Sequence, residues 1–417
     1  MKRLALPLAL ATVFALPGVA GAAGLSRPNM VGARAIGLGG AFTAVADDPT
    51  AVWHNPAGPA FFGDNVAYLG AELVLTQRSY TPSAQSPLGL SGQTKTIDEN
   101  TAPTPLPIIG VSSRFGLGRT QPTRFALSLL AHLAYGGAIS FNPSDLKNRG
   151  LLNTQILDYE ITPALSYQVS DVLAVGAALR IGVNAFNVDD VESAYHATLS
   201  TIGVGIGGTL GIFIRPHRMV DIGAVYRTPL SATMSGNGPV SIVGQGMAMN
   251  RDANLSITWP QSAGLGITIK PHPRFFATLQ GDWTGWSSVQ TLNVNVTGLT
   301  APPKEMLFRD SYALHLGLQG IITHYLLARL GYAIDTNAIP DETVRRENED
   351  GLKATLSCGL GLHFWKVFID AAFEAFVPLG PPRVIKTQIG DALNYQNEAG
   401  SYSAEVYTVE LSAQIHF

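Results

Sequence analysis

The sequence predicts an all-β protein, a 14-stranded antiparallel transmembrane β-barrel with a small N-terminal plug in its lumen. Three observations lead there. An export signal is followed by no segment suited to a spanning helix. Several stretches alternate apolar and polar residues with a period of two. The connections between them alternate short and long along the chain.

The chain begins with Lys2 and Arg3, an apolar run over residues 4–19 broken by Pro7 and Pro17, and then Ala20-Gly21-Ala22. A short positive segment, an apolar stretch and small residues for cleavage form a secretion signal, so residues 1–22 are expected to be removed. Without Lys2 and Arg3, 25 basic residues face 30 acidic ones, a net charge of −5. That balance argues against nucleic-acid binding. Cys358 is the single cysteine, so no intramolecular disulfide is possible, and it reads as a small apolar side chain on the lipid side.

Apolar residues make up 46% of the chain and charged residues only 14%, whereas soluble domains carry about a quarter charged residues. The longest candidate for a spanning helix, residues 197–214, is uncharged but holds five glycines and several β-formers, and reads as strand. An exported, apolar chain without spanning helices is left with a closed barrel as its way to live in a bilayer.

The alternation agrees. Tyr407, Val409, Leu411, Ala413, Ile415 and Phe417 alternate with Thr408, Glu410, Ser412, Gln414 and His416. Similar patterns place Asp370, Glu374 and Arg180 on second faces, where a dry sandwich would not hold them and a wet lumen would. Short turns are expected at 118–123, 170–171, 215–218, 271–274, 323–324 and 365–366. Longer connections are expected at 81–104, 138–153, 187–200, 237–251, 299–307, 337–352 and 379–400. These thirteen connections require 14 strands, with the long loops outside and both chain ends in the periplasm. The terminal Phe417 suits delivery by the barrel assembly machinery.

Residues 23–62 stand apart. They are rich in Gly and Ala, carry adjacent acids at Asp47 and Asp48, and turn at Asn55-Pro56-Ala57-Gly58. Their apolar surface is too small for an independent domain, so they must dock inside something larger, here the barrel of residues 63–417.

Several of these strings recur together in one family. Residues 37–42 (GLGGAF), Ala46-Asp47-Asp48 and Asn55-Pro56-Ala57 are followed by Tyr226-Arg227 and NLSITWP at 254–260. Then come WTGWSS at 283–288 and RLGYAID at 329–335, with Pro340 and Asp341 beyond. In this order and spacing the mature chain resembles the FadL family of outer-membrane transporters for long-chain fatty acids and other hydrophobic compounds. The resemblance implies a monomer in the outer membrane of a Gram-negative bacterium, in contact with its lipid and without a cofactor. It implies a hatch that includes Gly39, Gly40, Phe42, Asp47, Asp48, Asn55, Pro56 and Ala57. It also implies a third strand kinked inward, so that a hydrophobic substrate leaves sideways into the membrane. Residues 125–135 followed by Gly136-Gly137 fit such a strand, with Tyr135, Gly136 and Gly137 as the gate.

For substrate contacts the candidates are Arg180, Arg329, Trp283 and Trp286. The arginines fall on the lumen face, where they could meet a carboxylate or pair with Asp335, Asp370 or Glu374. The tryptophans suit pocket walls or an interfacial belt equally. Connections 187–200 and 237–251 match the family's outer uptake groove but are short, with its helical insertion reduced. No HExxH, G-x-S-x-G or metal-ligand spacing occurs, and the glycine run at 203–208 lacks a strand–loop–helix setting, so neither an enzyme nor a metal site is expected. Related barrels that act as assembly or secretion partners, without transport, are the alternative. An open porin conflicts with the plug.

Overall fold

A computed structural model of the chain describes residues 30–84, 86, 92, 95–116, 124–146, 150–191, 195–243, 247–299, 303–348, 350–385 and 399–417. The expected leader, residues 23–29 of the expected plug and the expected turn at 118–123 lie outside the described residues.

The wall is a closed antiparallel barrel of 14 strands. Its first six are β1 (Val66–Pro82), β2 (Thr104–Phe115), β3 (Phe125–Ser140), β4 (Gly150–Gln168), β5 (Leu173–Val191) and β6 (Tyr195–His217). Two interrupted strands follow, β7 (Val220–Arg227 and Leu230–Ile242) and β8 (Met249–Trp259 and Ser262–His272). The wall is completed by β9 (Phe275–Thr284), β10 (Ser311–Ile321), β11 (Leu326–Asp335), β12 (Lys353–Phe364), β13 (Val367–Pro378) and β14 (Gly400–His416). β1 pairs with β14 from Val66↔His416 to Pro82↔Gly400, which closes the cylinder and removes its edge. The gaps in β7 and β8 share one cause. Arg227 pairs with Ser262 and Leu230 with Trp259, so Thr228-Pro229 and Pro260-Gln261 face each other across a single ladder. Each proline lacks the N–H that the ladder needs.

The period of two sets the faces. Leu411 is 59% exposed on the outer face while Glu410 beside it is fully buried inside, and the same contrast separates Leu279 from Gln280 and Leu330 from Arg329. Cys358 is on the exposed face, as expected.

Two expectations about connections need correction. The stretches 187–200 and 237–251 are mostly strand, because β5 runs to Val191, β6 begins at Tyr195 and β7 runs to Ile242. Their inward residues Ala197, Leu199 and Val240 bury together with Ala253 and Val296, which holds the strands together to their tips. The connection after β9 is longer than 299–307. It leaves the wall at Gly285, makes a 3-10 turn at Trp286–Ser288, pairs Val294–Val296 with β8, and rejoins the wall at Ser311. Trp286, in that turn, is almost wholly buried.

Residues 30–62 form α1 (Ala33–Gly37), α2 (Ala51–His54) and a 3-10 turn at Gly58–Phe61, and nearly every residue is buried. Polar groups from strands around the barrel hold them. Gly32 N–H donates to Glu410 of β14 (3.1 Å), and Phe42 and Thr43 N–H donate to Gln280 of β9 (2.9 and 2.8 Å). His315 of β10 bonds the Gly39 carbonyl (2.7 Å), and Ser166 of β4 donates to the Pro56 carbonyl (2.6 Å). Arg227 of β7 donates to the Trp53 carbonyl (2.5 Å), and Asn55 donates to the Ile212 carbonyl of β6 (2.9 Å). The approach is close enough to select glycine in the wall. A Cβ on Gly211 would lie 2.2 Å from Asn55 Oδ1 and 2.8 Å from Pro56.

Gly211→Val should therefore destabilise the folded barrel in detergent by about 1–3 kcal/mol, the usual cost of overpacking. Adding Asn55→Gly should recover part of that loss, and thermal melts of the single and double variants check it.

Candidate functional site

The site begins where β3 leaves its neighbour. β2 pairs with β3 only from Phe115↔Phe125 to Ile109↔Ala131. Beyond Ala131, β3 keeps β4 alone as its ladder partner. That ladder also slips, with Leu133 opposite Tyr159 and then Tyr135 opposite Asp158, so Ala134 is an inserted residue. Both Ala134 and Tyr135 are buried, as a bulge that turns consecutive side chains the same way requires. Gly136 follows at φ +117, where a Cβ would sit 2.1 Å from the Ile156 carbonyl oxygen. Only glycine fits that backbone. Tyr135, Gly136 and Gly137 thus lie in a stretch of β3 that is bulged and free of β2.

Behind this stretch, toward the end of the barrel with the long connections, lies a cavity of about 200 Å³. Gly137, Ala138 and Ile139 of β3 form part of its wall, with Ile156 of β4, Phe186 of β5, Leu199 of β6 and Ile257 of β8. The connection after β9 contributes Trp286, Leu292, Met306 and Phe308. Charge is sparse and balanced, with Arg78 and Lys304 against Asp190 and Glu347. Lys304 bonds Glu347 at 2.6 Å. Burial pushes the Glu347 carboxyl up, but Lys304, Arg345 and Arg346 prevail and hold it down at about 2.

One side of the cavity rests on packed rings. Tyr135 stacks on Trp259 (centroids 5.0 Å apart, 13° between planes) and meets Trp286 and Trp53 edge-on at 6.3 and 5.9 Å. Trp53 belongs to α2 and lies 4.9 Å from the His132 ring, with the Arg227 guanidinium 4.4 Å over its face. Trp259 donates to Asn184 at 2.6 Å. The Tyr135 hydroxyl, Trp286 Nε1 and both His132 ring nitrogens are buried without a hydrogen-bond partner among the described residues.

The candidate contacts separate. Trp286 is in the cavity wall, whereas Trp283 is half-buried and donates to Asp310 (2.9 Å). Arg180 and Arg329 are fully buried and do not line the cavity. Arg180 grips Glu160 with Nε (3.0 and 2.9 Å) and Nη2 (2.5 Å), and its Nη1 donates to the Thr228 carbonyl at the β7 interruption. Arg329 donates to Asp370 (2.6 Å) and Gln319 (2.7 Å). A guanidinium already committed to a buried carboxylate is poorly placed to receive another.

The residues expected to form a hatch do not line the cavity either. Asn55 organises them, donating to the Thr43 carbonyl (3.0 Å) and accepting from Ala57 N–H (3.1 Å). Asp47 pairs with Arg34 (2.5 Å), and Asp48 accepts from Thr50 N–H and hydroxyl (2.8 and 2.5 Å). Burial pushes the Asp48 carboxyl up to about 6, against the pull of Arg34. Gly39 and Gly40 adopt positive φ just past α1, and Phe42 packs on His54.

Sequence reasoning missed Trp259, Glu160, Arg227 and Trp53. Trp259 stood in the NLSITWP string, and the Pro260 after it was the available sign of a break that would aim the ring inward.

Removing one partner of the Arg180–Glu160 pair leaves an uncompensated buried charge. Glu160→Ala should cost about 3–5 kcal/mol of stability, whereas Glu160→Met with Arg180→Met should cost far less. Denaturant unfolding of both variants, followed by tryptophan fluorescence, measures the difference.

Comparison with known proteins now joins the geometry. Residues 11–417 match the family described as outer membrane protein transport protein (OMPP1/FadL/TodX). Among solved structures the chain is similar to a Pseudomonas aeruginosa FadL homologue, at 20% identity and a TM-score of 0.79 over 95% of this chain and 100% of that one. It is also similar to the Ralstonia pickettii toluene transporter TbuX (16%, 0.72, 94% and 99%) and the P. putida toluene transporter TodX (15%, 0.73, 94% and 99%). None of the curated protein sequences matches. The barrel, its ladder and the family match over nearly the whole chain agree, and the chain belongs to the FadL/TodX family of Gram-negative outer-membrane transport proteins.

Proposed function

We propose that this barrel takes up long-chain fatty acids and releases them sideways, through the gap between β2 and β3, into the membrane. The observation that carries this reading is continuity. The residues of β3 that lack β2 as a partner, Gly137 to Ile139, are also a wall of the apolar cavity. A tail held there can reach lipid without crossing water, which avoids about 0.8 kcal/mol for each CH₂ exposed. Residues 23–62 act as a plug that denies solutes the straight path, residues 1–22 serve as a cleaved leader, and the barrel works as a monomer without catalysis. Ile139, Ile156, Leu199, Ile257 and Leu292 make a branched aliphatic wall suited to a flexible chain.

One observation favours a second substrate class. Trp259, Trp286, Phe186 and Phe308 present four rings to the same space, which suits monoaromatic hydrocarbons. Competition decides between them. Purified protein loaded with tritiated palmitate should release it to unlabelled oleate and resist toluene if fatty acids are the substrate. The reverse ranking would assign the aromatic class, and a stable co-purifying protein without bound lipid would favour the assembly-partner alternative.

For the exit, Gly136→Val with Gly137→Val should abolish uptake of a labelled fatty acid while surface expression holds. A side chain at Gly136 collides with Ile156, so β3 must straighten toward β2 and narrow the gap. Normal uptake by a well-expressed variant would place the exit elsewhere.

A further inference from the structure

The gap between β2 and β3 has its own construction. Opposite the free part of β3, β2 reads Thr104-Pro105-Leu106-Pro107-Ile108, and its ladder to β1 is unbroken from Thr104↔Val74 to Ile108↔Gly70. The Pro107 carbonyl accepts a hydrogen bond from the Tyr159 hydroxyl of β4 at 2.8 Å. That carbonyl therefore points away from β1. Because backbone groups alternate sides along a strand, those of Pro105 point the same way, and those of Leu106 and Ile108 point to β1. Pairing with β3 resumes at Ile109, and extending its register would set Pro107 opposite Leu133 and Pro105 opposite Tyr135, the residues that flank the bulge. At both positions where β2 should offer β3 an N–H, it carries a proline, which has none.

On the outer side a side chain spans the gap. Tyr159 shares the outward face of β4 with the exposed Leu165, and it reaches past Leu133 to β2 where β3 has moved in. Leu133 and Leu157 pack against a cluster that includes Leu106 and, from residues 30–62, Met30 and Ile36.

We propose that Pro105 and Pro107 keep the β2–β3 seam permanently unzipped, and that Tyr159 is its latch on the lipid side. Its hydroxyl satisfies the Pro107 carbonyl, which faces the gap, and its ring must swing away before anything passes. Tyr159 is thus a positioning residue for release, separate from the cavity that binds. The purpose of the latch rests on the sideways exit proposed above, but its geometry does not.

The test uses the full mature chain in detergent and in vesicles. Amide exchange across residues 132–140, read by mass spectrometry, reports the seam itself. Transfer of bound cis-parinaric acid to vesicles of phosphatidylethanolamine and phosphatidylglycerol reports release. Tyr159→Phe should speed exchange and transfer by about three- to tenfold, the scale of one net hydrogen bond, and leave the affinity for parinaric acid unchanged. Pro105→Val with Pro107→Val should slow both, because β2 regains the donors to pair with β3. Exchange that stays unchanged in the Tyr159 and the proline variants overturns the latch and the open seam, whatever transfer does. Altered exchange with unaltered transfer upholds the latch and overturns the sideways exit. Should the proline variant fail to assemble, Tyr159→Phe alone still decides the latch, since it removes a single oxygen from a half-buried ring.

Discussion

A backbone in lipid must find all its hydrogen-bond partners within the protein, and this barrel departs from that rule at the seam between β2 and β3. Between Ala131 and Ser140, β3 has β4 on one side and no ladder partner on the other. Much of the surrounding structure follows from making that departure tolerable. The bulge at Ala134 and the positive φ of Gly136 carry β3 inward, where protein rather than lipid surrounds it. The seam ends in fixed points, the Ile109↔Ala131 pair on one side and the Glu99↔Phe141 bridge on the other. A distortion bounded in this way stays local and leaves the closure of the cylinder at β1–β14 intact.

An inward-bent strand needs something to bend against, and residues 30–62 provide it. Trp53 meets His132 at the start of the free stretch and Tyr135 within it. Trp53 is held in turn by Arg227 through its carbonyl and its ring face. The polar lumen contributes indirectly. Arg180 and Glu160 satisfy each other, and Arg180 also ties β5 to the interrupted β7. The interior charges look like a binding site when read along the sequence. In three dimensions they set the positions of the strands whose apolar tips enclose the cavity.

Much of this was legible before the structure, for a definite reason. A strand with lipid on one side and a lumen on the other shows its period in the sequence, so the faces of β13 and β14 and the strand number could be read directly. The Gly- and Ala-rich composition of the segment before β1 was also visible, and small residues suit the close approach of its backbone to wall glycines such as Gly211. Where both faces are polar the period vanishes. Asn187, Asp189 and Asp190 therefore read as loop although β5 continues through them. Pairings between distant lumen residues leave no local trace: one list of candidate carboxylates served both arginines, and it held the Asp370 of Arg329 but not the Glu160 of Arg180. Trp283 and Trp286 are three residues apart, so alternation alone sets them on opposite faces, and the turn at Gly285 then carries Trp286 out of the wall.

Placing binding and release on different residues, as proposed, would have a thermodynamic consequence. Affinity in the cavity would come from apolar area and four rings, which act on any hydrophobic molecule that fits. Were the same contacts to govern escape, tight binding would mean slow release. Here the cavity touches the seam at Gly137–Ile139, while the seam is closed by Tyr159 on the opposite, lipid-facing side. A single hydroxyl–carbonyl bond is a small barrier beside the free energy of burying an alkyl chain, and it is the same barrier for every substrate. The wall can thus discriminate by shape while the latch stays indifferent to it. Two prolines suffice for this separation, since they remove the donors that would otherwise make the seam one more ladder of the barrel.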